Sequence, residues 1–222
     1  MIKIAIDGPG GAGKSTVAKA VAAKLGIVYV DTGALYRTIG LYVRRANVDP
    51  KDREGVSECL KDITIEIKYE DGKQRVYLNG EDPGDAIRTP EMSMYASAVS
   101  AIPEVRAFLL DTQRDIAKKN SVIMDGRDIG TVILPDAEVK IFLTASEECR
   151  ARRRYEELLS KGQSVRYEDV LAEMNQRDAQ DAGRDVAPTA AAEDAVLLDN
   201  TDLTFEGTVD AVIALAKKTG LI

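Results

Sequence analysis

"IKIAIDGPGGAGKST", residues 2–16, is a short aliphatic run that passes directly into a glycine-rich turn and the start of an amphipathic stretch. Ile2 to Asp7 reads as a buried parallel strand ending in a polar residue, and residues 14–25 read as a helix. Gly8-x4-Gly13-Lys14-Ser15 then matches GxxxxGK[ST] in the strand, turn and helix context which that pattern requires. Glycines allow successive backbone N–H groups to converge on a phosphate. Lys14 adds a mobile cation for the β and γ phosphates, the Ser15 hydroxyl suits Mg2+, and the helix opening near Lys14 contributes its positive end. Gly8, Pro9, Gly10, Gly11, Ala12, Gly13, Lys14, Ser15 and Thr16 are therefore the expected binding loop for ATP or GTP with Mg2+.

Four further apolar runs resemble the first: "IVYVDTG" (27–33), "SVIMDG" (121–126), "VKIFLTA" (139–145) and "AVLLDN" (195–200). Helical patterning falls between them, at 34–46, 90–99, 103–119, 146–161, 167–182 and 204–219. This alternation predicts an α/β fold: a P-loop NTPase-type parallel sheet flanked by helices, with ligands collecting at the carboxyl ends of the strands. Residues 63–87 break the alternation. Their period-two patterning, with Asp71-Gly72 and Asn79-Gly80 as turn signals, predicts a small antiparallel meander inserted into the domain. The expected organisation is one domain over 1–222, with a β-rich insertion at 61–90.

Composition narrows the chemistry. The chain has 222 residues, 45% of them hydrophobic and 30% charged, enough for a sizeable core. Its formal net charge of -7 argues against coating nucleic acid or an anionic membrane, so any anionic ligand must be met by local basic clusters. Cys59 and Cys149 form no CxxC pair and are expected to be buried small hydrophobes. With no signal-peptide pattern and no apolar run long enough to span a bilayer, the cytoplasm is the expected compartment. There is no histidine, which excludes Ser-His-Asp and Cys-His pairs, HExxH zinc sites and imidazole proton shuttles.

Three other clusters carry charge at strand ends or along helices. "DTGALYR" (31–37) supplies a helix start from Asp31, Thr32 and Gly33, a role that leaves Arg37 unexplained. "DGRDIG" (125–130) follows the third core strand; Asp125 can hold a metal-bound water, and Arg127 beside Asp128 places a cation and a carboxylate at one edge. "CRARRRYEELLSKGQS" (149–164) packs four arginines into a turn and a half, with Arg152/Glu156 and Arg153/Glu157 spaced for helical ion pairs. A GTPase switch would need NKxD after a strand. The nearest string, "NQRD" (175–178), lacks the Lys and lies in a predicted helix.

Together "GPGGAGKST", "DTGALYR", "DGRDIGTVILPDAEVKIFL" and "RDAQDAGRDVAP" resemble the bacterial cytidylate kinase family, in order and over nearly the whole chain. The resemblance implies ATP-dependent phosphorylation of CMP and dCMP. It implies a base-contacting hydroxyl at Thr32 and an acceptor-phosphate arginine at Arg37. Ser97 and Arg106 match positions that meet the cytosine ring, Arg127 a phosphate ligand and Asp128 a base ligand. Arg177 and Asp181 match a pair that grips the ribose hydroxyls and nearby phosphate, and Arg184 a further ligand on that side. Residues 148–166 correspond to a helical lid closing over ATP, with Arg150 and Arg154, on one helical face, favoured over Arg152 as charge-stabilising groups. Lys14, Arg127, Arg150 and Arg154 are thus the expected catalytic set, with Ser15 on the metal.

The chemistry of cytosine agrees with this assignment. A carboxylate at Asp128 can accept from the exocyclic amine, while a guanidinium at Arg106 can donate to O2 and N3; uracil reverses the pattern at positions 3 and 4. An acceptor that is itself an ionised phosphate needs no general base, which suits a chain without histidine. Two alternatives stay open on the residues alone: a kinase of another small acceptor, and a non-catalytic nucleotide-binding regulator. A monomer is expected.

Overall fold

The computed structural model describes residues 1–70 and 73–222. In chain order the elements are β1 (Lys3–Asp7), α1 (Lys14–Leu25), β2 (Val28–Asp31), α2 (Thr32–Arg45), α3 (Arg53–Cys59), β3 (Ile65–Glu70), β4 (Lys73–Leu78), α4 (Pro90–Val99), α5 (Pro103–Lys119), β5 (Val122–Asp125), β6 (Val139–Thr144), α6 (Glu147–Ser160), α7 (Tyr167–Ala182), β7 (Val196–Asp199) and α8 (Phe205–Lys217). Five strands form one sheet in the order β2-β5-β1-β6-β7, and β3 and β4 form a separate pair. β1 runs parallel to β5, with Ile4 opposite Ile123, and to β6, with Ile6 opposite Ile141; β6 runs parallel to β7.

This is the expected α/β architecture, and its strand order places the decisive loop. β1 is central: the chain passes from it to β2 on one side and from neighbouring β5 to β6 on the other, so the turn after Asp7 borders the point where the order reverses. Ile4, Ile6, Ile123, Met124, Ile141 and Leu143 are fully buried in the central strands, which explains their unbroken aliphatic character. β7 departs from the expectation of a buried strand. It is an edge strand, and Val196 and Leu197 are exposed.

The chain divides into two compact units, Met1–Val28 with Asn120–Ile222, and Tyr29–Lys119. In the second unit the core gathers Leu35, Ile39 and Val43 of α2 with Val76 and Leu78 of β4, Met92 and Val99 of α4, and Val105 and Leu109 of α5. Three features there differ from the sequence reading. Helix α3 was not expected; Asp52 caps it by accepting from the Gly55 N–H at 3.1 Å, and Val56 and Cys59 bury one face. The expected meander is a two-stranded hairpin, with Ile65 opposite Leu78 and Glu70 opposite Lys73. Its first turn signal, Asp71-Gly72, lies outside the described residues. Its second, Asn79-Gly80, leads only to an isolated bridge between Leu78 and Glu81 and then a 3-10 turn, Gly84–Arg88, because Pro83 has no N–H with which to extend a ladder. Cys59 is buried as expected, whereas Cys149 is only half-buried.

Candidate active site

The glycine-rich turn packs against β6 too closely at its first glycine for a side chain. A Cβ on Gly8 would lie 2.0 Å from the Leu143 carbonyl oxygen, and Gly13 caps α1 at a φ of 85°, in the left-handed region. Lys14 is buried and donates through Nζ to the Pro9 carbonyl at 2.7 Å. Burial lowers its pKa well below the ordinary lysine value, and Arg127 and Arg177 push it the same way, against the opposing pull of Asp125 and Asp7. A bound phosphate would reverse that balance.

Ser15 donates through its hydroxyl to Asp125 Oδ2 at 2.7 Å, which joins two residues that sequence reading had treated separately. A hydroxyl and a buried carboxylate are hard oxygen donors, and Mg2+ accompanying a nucleotide usually takes one or two such protein ligands beside phosphate oxygens and water. The pair therefore suits Mg2+. Among the described residues no group of three or more His, Cys, Asp or Glu could hold a metal without a substrate's help.

Around this loop the first unit concentrates cations. Asp181, almost fully buried on α7, receives Arg127 Nε at 3.0 Å and Arg184, with Arg177 Nε at 3.9 Å. Three guanidinium groups thus converge on one carboxylate, an arrangement that an anionic ligand could join. The Arg127 guanidinium also reaches to 3.8 Å of where a Cβ on Gly10 would stand, so the cluster borders the loop. Asp128 is buried just before a wide π-type turn, Ile129–Ile133.

The arginines of α6 do not share one role. Arg150 is buried and donates to the carbonyls of Ala145 at 3.1 Å and Gly10 at 2.9 Å, and it pairs with Asp178 on α7. Asp178 in turn accepts from the Gly10 N–H at 3.2 Å. Arg153 donates to Asn200 at 3.0 Å, and Asn200 donates to the Ala12 carbonyl at 3.0 Å. Arg154 pairs with Glu157 at 2.8 Å, and Arg152 lies over the Tyr167 ring at 5.6 Å. The expected Arg153/Glu157 pairing is thus replaced: Glu157 serves Arg154 and Lys161. Arg150 and Arg154, expected on one face in one role, differ in burial and in partner.

The residues that sequence reading missed are Asp178, Asn200 and Asp7. Asp7 accepts from the Ile129 and Gly130 N–H groups, each at 2.7 Å, and burial raises its carboxyl pKa to about 6. Its position as the last residue of β1 was the available signal, since β1, β2, β5 and β7 all end in Asp.

In the second unit, Thr32 is buried as the first residue of α2 and Arg37 lies one turn on. Asp31 accepts from the Ala34 N–H at 2.9 Å and from Arg37 Nη2 at 3.0 Å. Arg37 Nε is buried with no hydrogen-bond partner among the described residues, a donor that suits an anionic ligand. Ser97 and Arg106 meet through Ser100: the Ser100 hydroxyl donates to the Ser97 carbonyl at 3.0 Å, and Arg106 Nη1 donates to the Ser100 carbonyl at 3.1 Å. The Arg106 guanidinium also lies over the Tyr36 ring at 5.7 Å, which ties α5 to α2.

A phosphate loop at the reversal point of a parallel sheet, bordered by clustered arginines, defines a P-loop nucleotide-binding enzyme that acts on phosphates. The family model for cytidylate kinase matches residues 4–218. The chain belongs to the cytidylate kinase family and is a nucleoside monophosphate kinase. It is 52% identical to the cytidylate kinase of Caldicellulosiruptor bescii, over 98% of this chain and 96% of that protein. It is 54% identical to that of Caldanaerobacter subterraneus subsp. tengcongensis, over 98% and 95%, and 45% identical to that of Lactobacillus gasseri, over 98% and 95%. A crystal structure of an uncharacterized protein from Eubacterium ventriosum covers 98% of each chain at 15% identity with a TM-score of 0.55, a likeness of fold.

Proposed function

We propose that this kinase transfers the terminal phosphoryl group of ATP to CMP and dCMP, releasing ADP with CDP or dCDP, as a monomer serving pyrimidine nucleotide metabolism in the cytoplasm. The observation that carries the reading is the set of cations beside the phosphate loop. Lys14, Arg127, Arg150 and Arg177 all lie in one unit of a chain with a net charge of -7, and Lys14 is pushed toward neutrality by two of its neighbours. Burial and the Arg127 and Arg177 guanidinium groups disfavour the charge on Lys14 against the opposing pull of Asp125 and Asp7, and a bound phosphate would favour it.

Donor phosphates would lie on the loop from Gly8 to Thr16, with Lys14 released from the Pro9 carbonyl to meet them. Mg2+, held by Ser15 with Asp125 behind it, would neutralise phosphate charge. Arg127 and Arg150 would carry charge that develops on the transferring group, with half-buried Arg154 of α6 completing the set. The segment 148–166 would act as the lid that excludes water. Arg177, Asp181 and Arg184 would take the ribose and phosphate of the acceptor. Arg37, with its unsatisfied Nε, would hold the acceptor phosphate, while Thr32, Ser97, Arg106 and Asp128 would read cytosine. No group here needs to remove a proton, because the attacking phosphate oxygen is already ionised at neutral pH.

The test is stoichiometry. With ATP and Mg2+, ADP release should depend on added CMP and equal the CDP formed. ADP release without CMP, and no CDP with it, would overturn the proposal.

A further inference from the structure

Gln74, on β4, bonds to the junction between β2 and α2. Its side-chain amide meets the main chain of Asp31, 43 positions away, at both ends. The Asp31 N–H donates to Gln74 Oε1 at 2.7 Å, and Gln74 Nε2 donates to the Asp31 carbonyl at 3.2 Å. A primary amide used in this reciprocal way reproduces one rung of a β-ladder with a side chain.

The captured residue is the junction between β2 and α2, and its carboxylate is already committed. Oδ1 caps α2 through the Ala34 N–H, and Oδ2 holds Arg37. Asp31 is thereby fixed at four atoms, two of them by Gln74. The other end of the clamp is rigid as well. Residues 74, 76 and 78 share one face of β4, and Val76 and Leu78 are buried in the same core as Leu35 and Ile39 of α2. The hairpin therefore presents Gln74 from a packed strand, and the amide transmits that rigidity to the carboxylate that orients Arg37.

We propose that Gln74 is a positioning residue for the acceptor: through Asp31 it holds the Arg37 guanidinium in the geometry that binds the acceptor phosphate. This gives the β insertion a function, and it rests on the assignment of Arg37 to that phosphate. An apolar residue at 74 would fill the space but leave the Asp31 N–H and carbonyl without these partners, freeing the Asp31–Arg37 pair to shift.

The test is calorimetric titration with CMP alongside steady-state kinetics. Gln74→Ala should weaken CMP binding and raise its KM about fivefold, the effect of losing one or two neutral hydrogen bonds, with kcat and the KM for ATP within about twofold. Gln74→Met, of similar length but without the amide, should behave like Gln74→Ala. Arg37→Ala should weaken CMP binding further, and adding Gln74→Ala to it should change binding by under about twofold, because the group being positioned is gone. CMP affinity restored in Gln74→Met, or ATP and CMP affinity lost equally in Gln74→Ala, would mark a packing role and overturn the proposal. Unchanged CMP affinity in both Gln74 variants, with a loss in Arg37→Ala, would overturn it alone. Unchanged CMP affinity in Arg37→Ala would overturn the acceptor assignment and this proposal with it.

Discussion

Lys14 shows how a single residue can be prepared for a ligand. Its amine is buried, rests on a backbone carbonyl and is disfavoured as a cation by burial, Arg127 and Arg177 against Asp125 and Asp7, a balance that a bound polyphosphate would shift. Lys14→Ala should lower kcat about a hundredfold to a thousandfold while the circular dichroism spectrum is retained; near-normal turnover would contradict the role. Asp7 offers a test through pH. Burial raises its carboxyl from 3.8 to about 6, opposed by the two backbone N–H donors and by Lys14 and assisted by Asp128. The folded protein therefore holds this proton over a window in which the unfolded chain has released it, and stability contributed at Asp7 falls as pH rises from about 4 to 6. Relative to Asp7→Asn, the wild-type protein should lose about 3 kcal/mol of unfolding free energy across that window, read from urea midpoints at fixed pH. A constant difference between the two proteins would refute it. At this scale the loop 8–16 was legible because its pattern fixes backbone and side chain together. Asp7 and Asn200 were not, since Asp7 bonds to Ile129 and Gly130 and Asn200 to Ala12, in each case more than a hundred residues away.

Among the elements, α6 and α7 carry the clearest mechanical link. Arg150 and Asp178 clasp each other, and both bind the main chain of Gly10, so two helices brace the phosphate loop. Asp178→Ala would leave Arg150 buried without its carboxylate and should destabilise the protein by about 3 kcal/mol. It should also raise the KM for ATP more than that for CMP. Equal changes in both would show that the clasp does not serve the donor loop. Helix ends were legible to within a few residues, and α1, α4, α5 and α7 fall at the bounds read from the sequence. The short α3 was not, because seven residues containing a glycine give little periodicity. Within the arginine run of α6 the sequence favoured Arg150 and Arg154 over Arg152 by helical face alone. Only packing against Asp178, Asn200 and Tyr167 separates Arg150, Arg153 and Arg152 into distinct roles.

For the whole molecule, the arrangement of charge matters more than its total. The net charge implies that any anionic ligand is met by local cations, and each unit carries arginines that could serve: those around Asp181 in one, and Arg37 and Arg106 near α2 in the other. The parallel sheet and its reversal point were readable from the alternation of aliphatic runs and helices. The exposure of β7 was not, because edge position depends on strand order rather than on local sequence. Base specificity is the property on which the proposed reading of cytosine by Asp128 and Arg106 turns. Its most direct measurement is kcat/KM for CMP and UMP with ATP and Mg2+, side by side in one coupled assay. A carboxylate facing the 4-position and a guanidinium facing the 2- and 3-positions should favour CMP by about a thousandfold or more; comparable values for the two nucleotides would contradict the assignment of cytosine reading to Asp128 and Arg106.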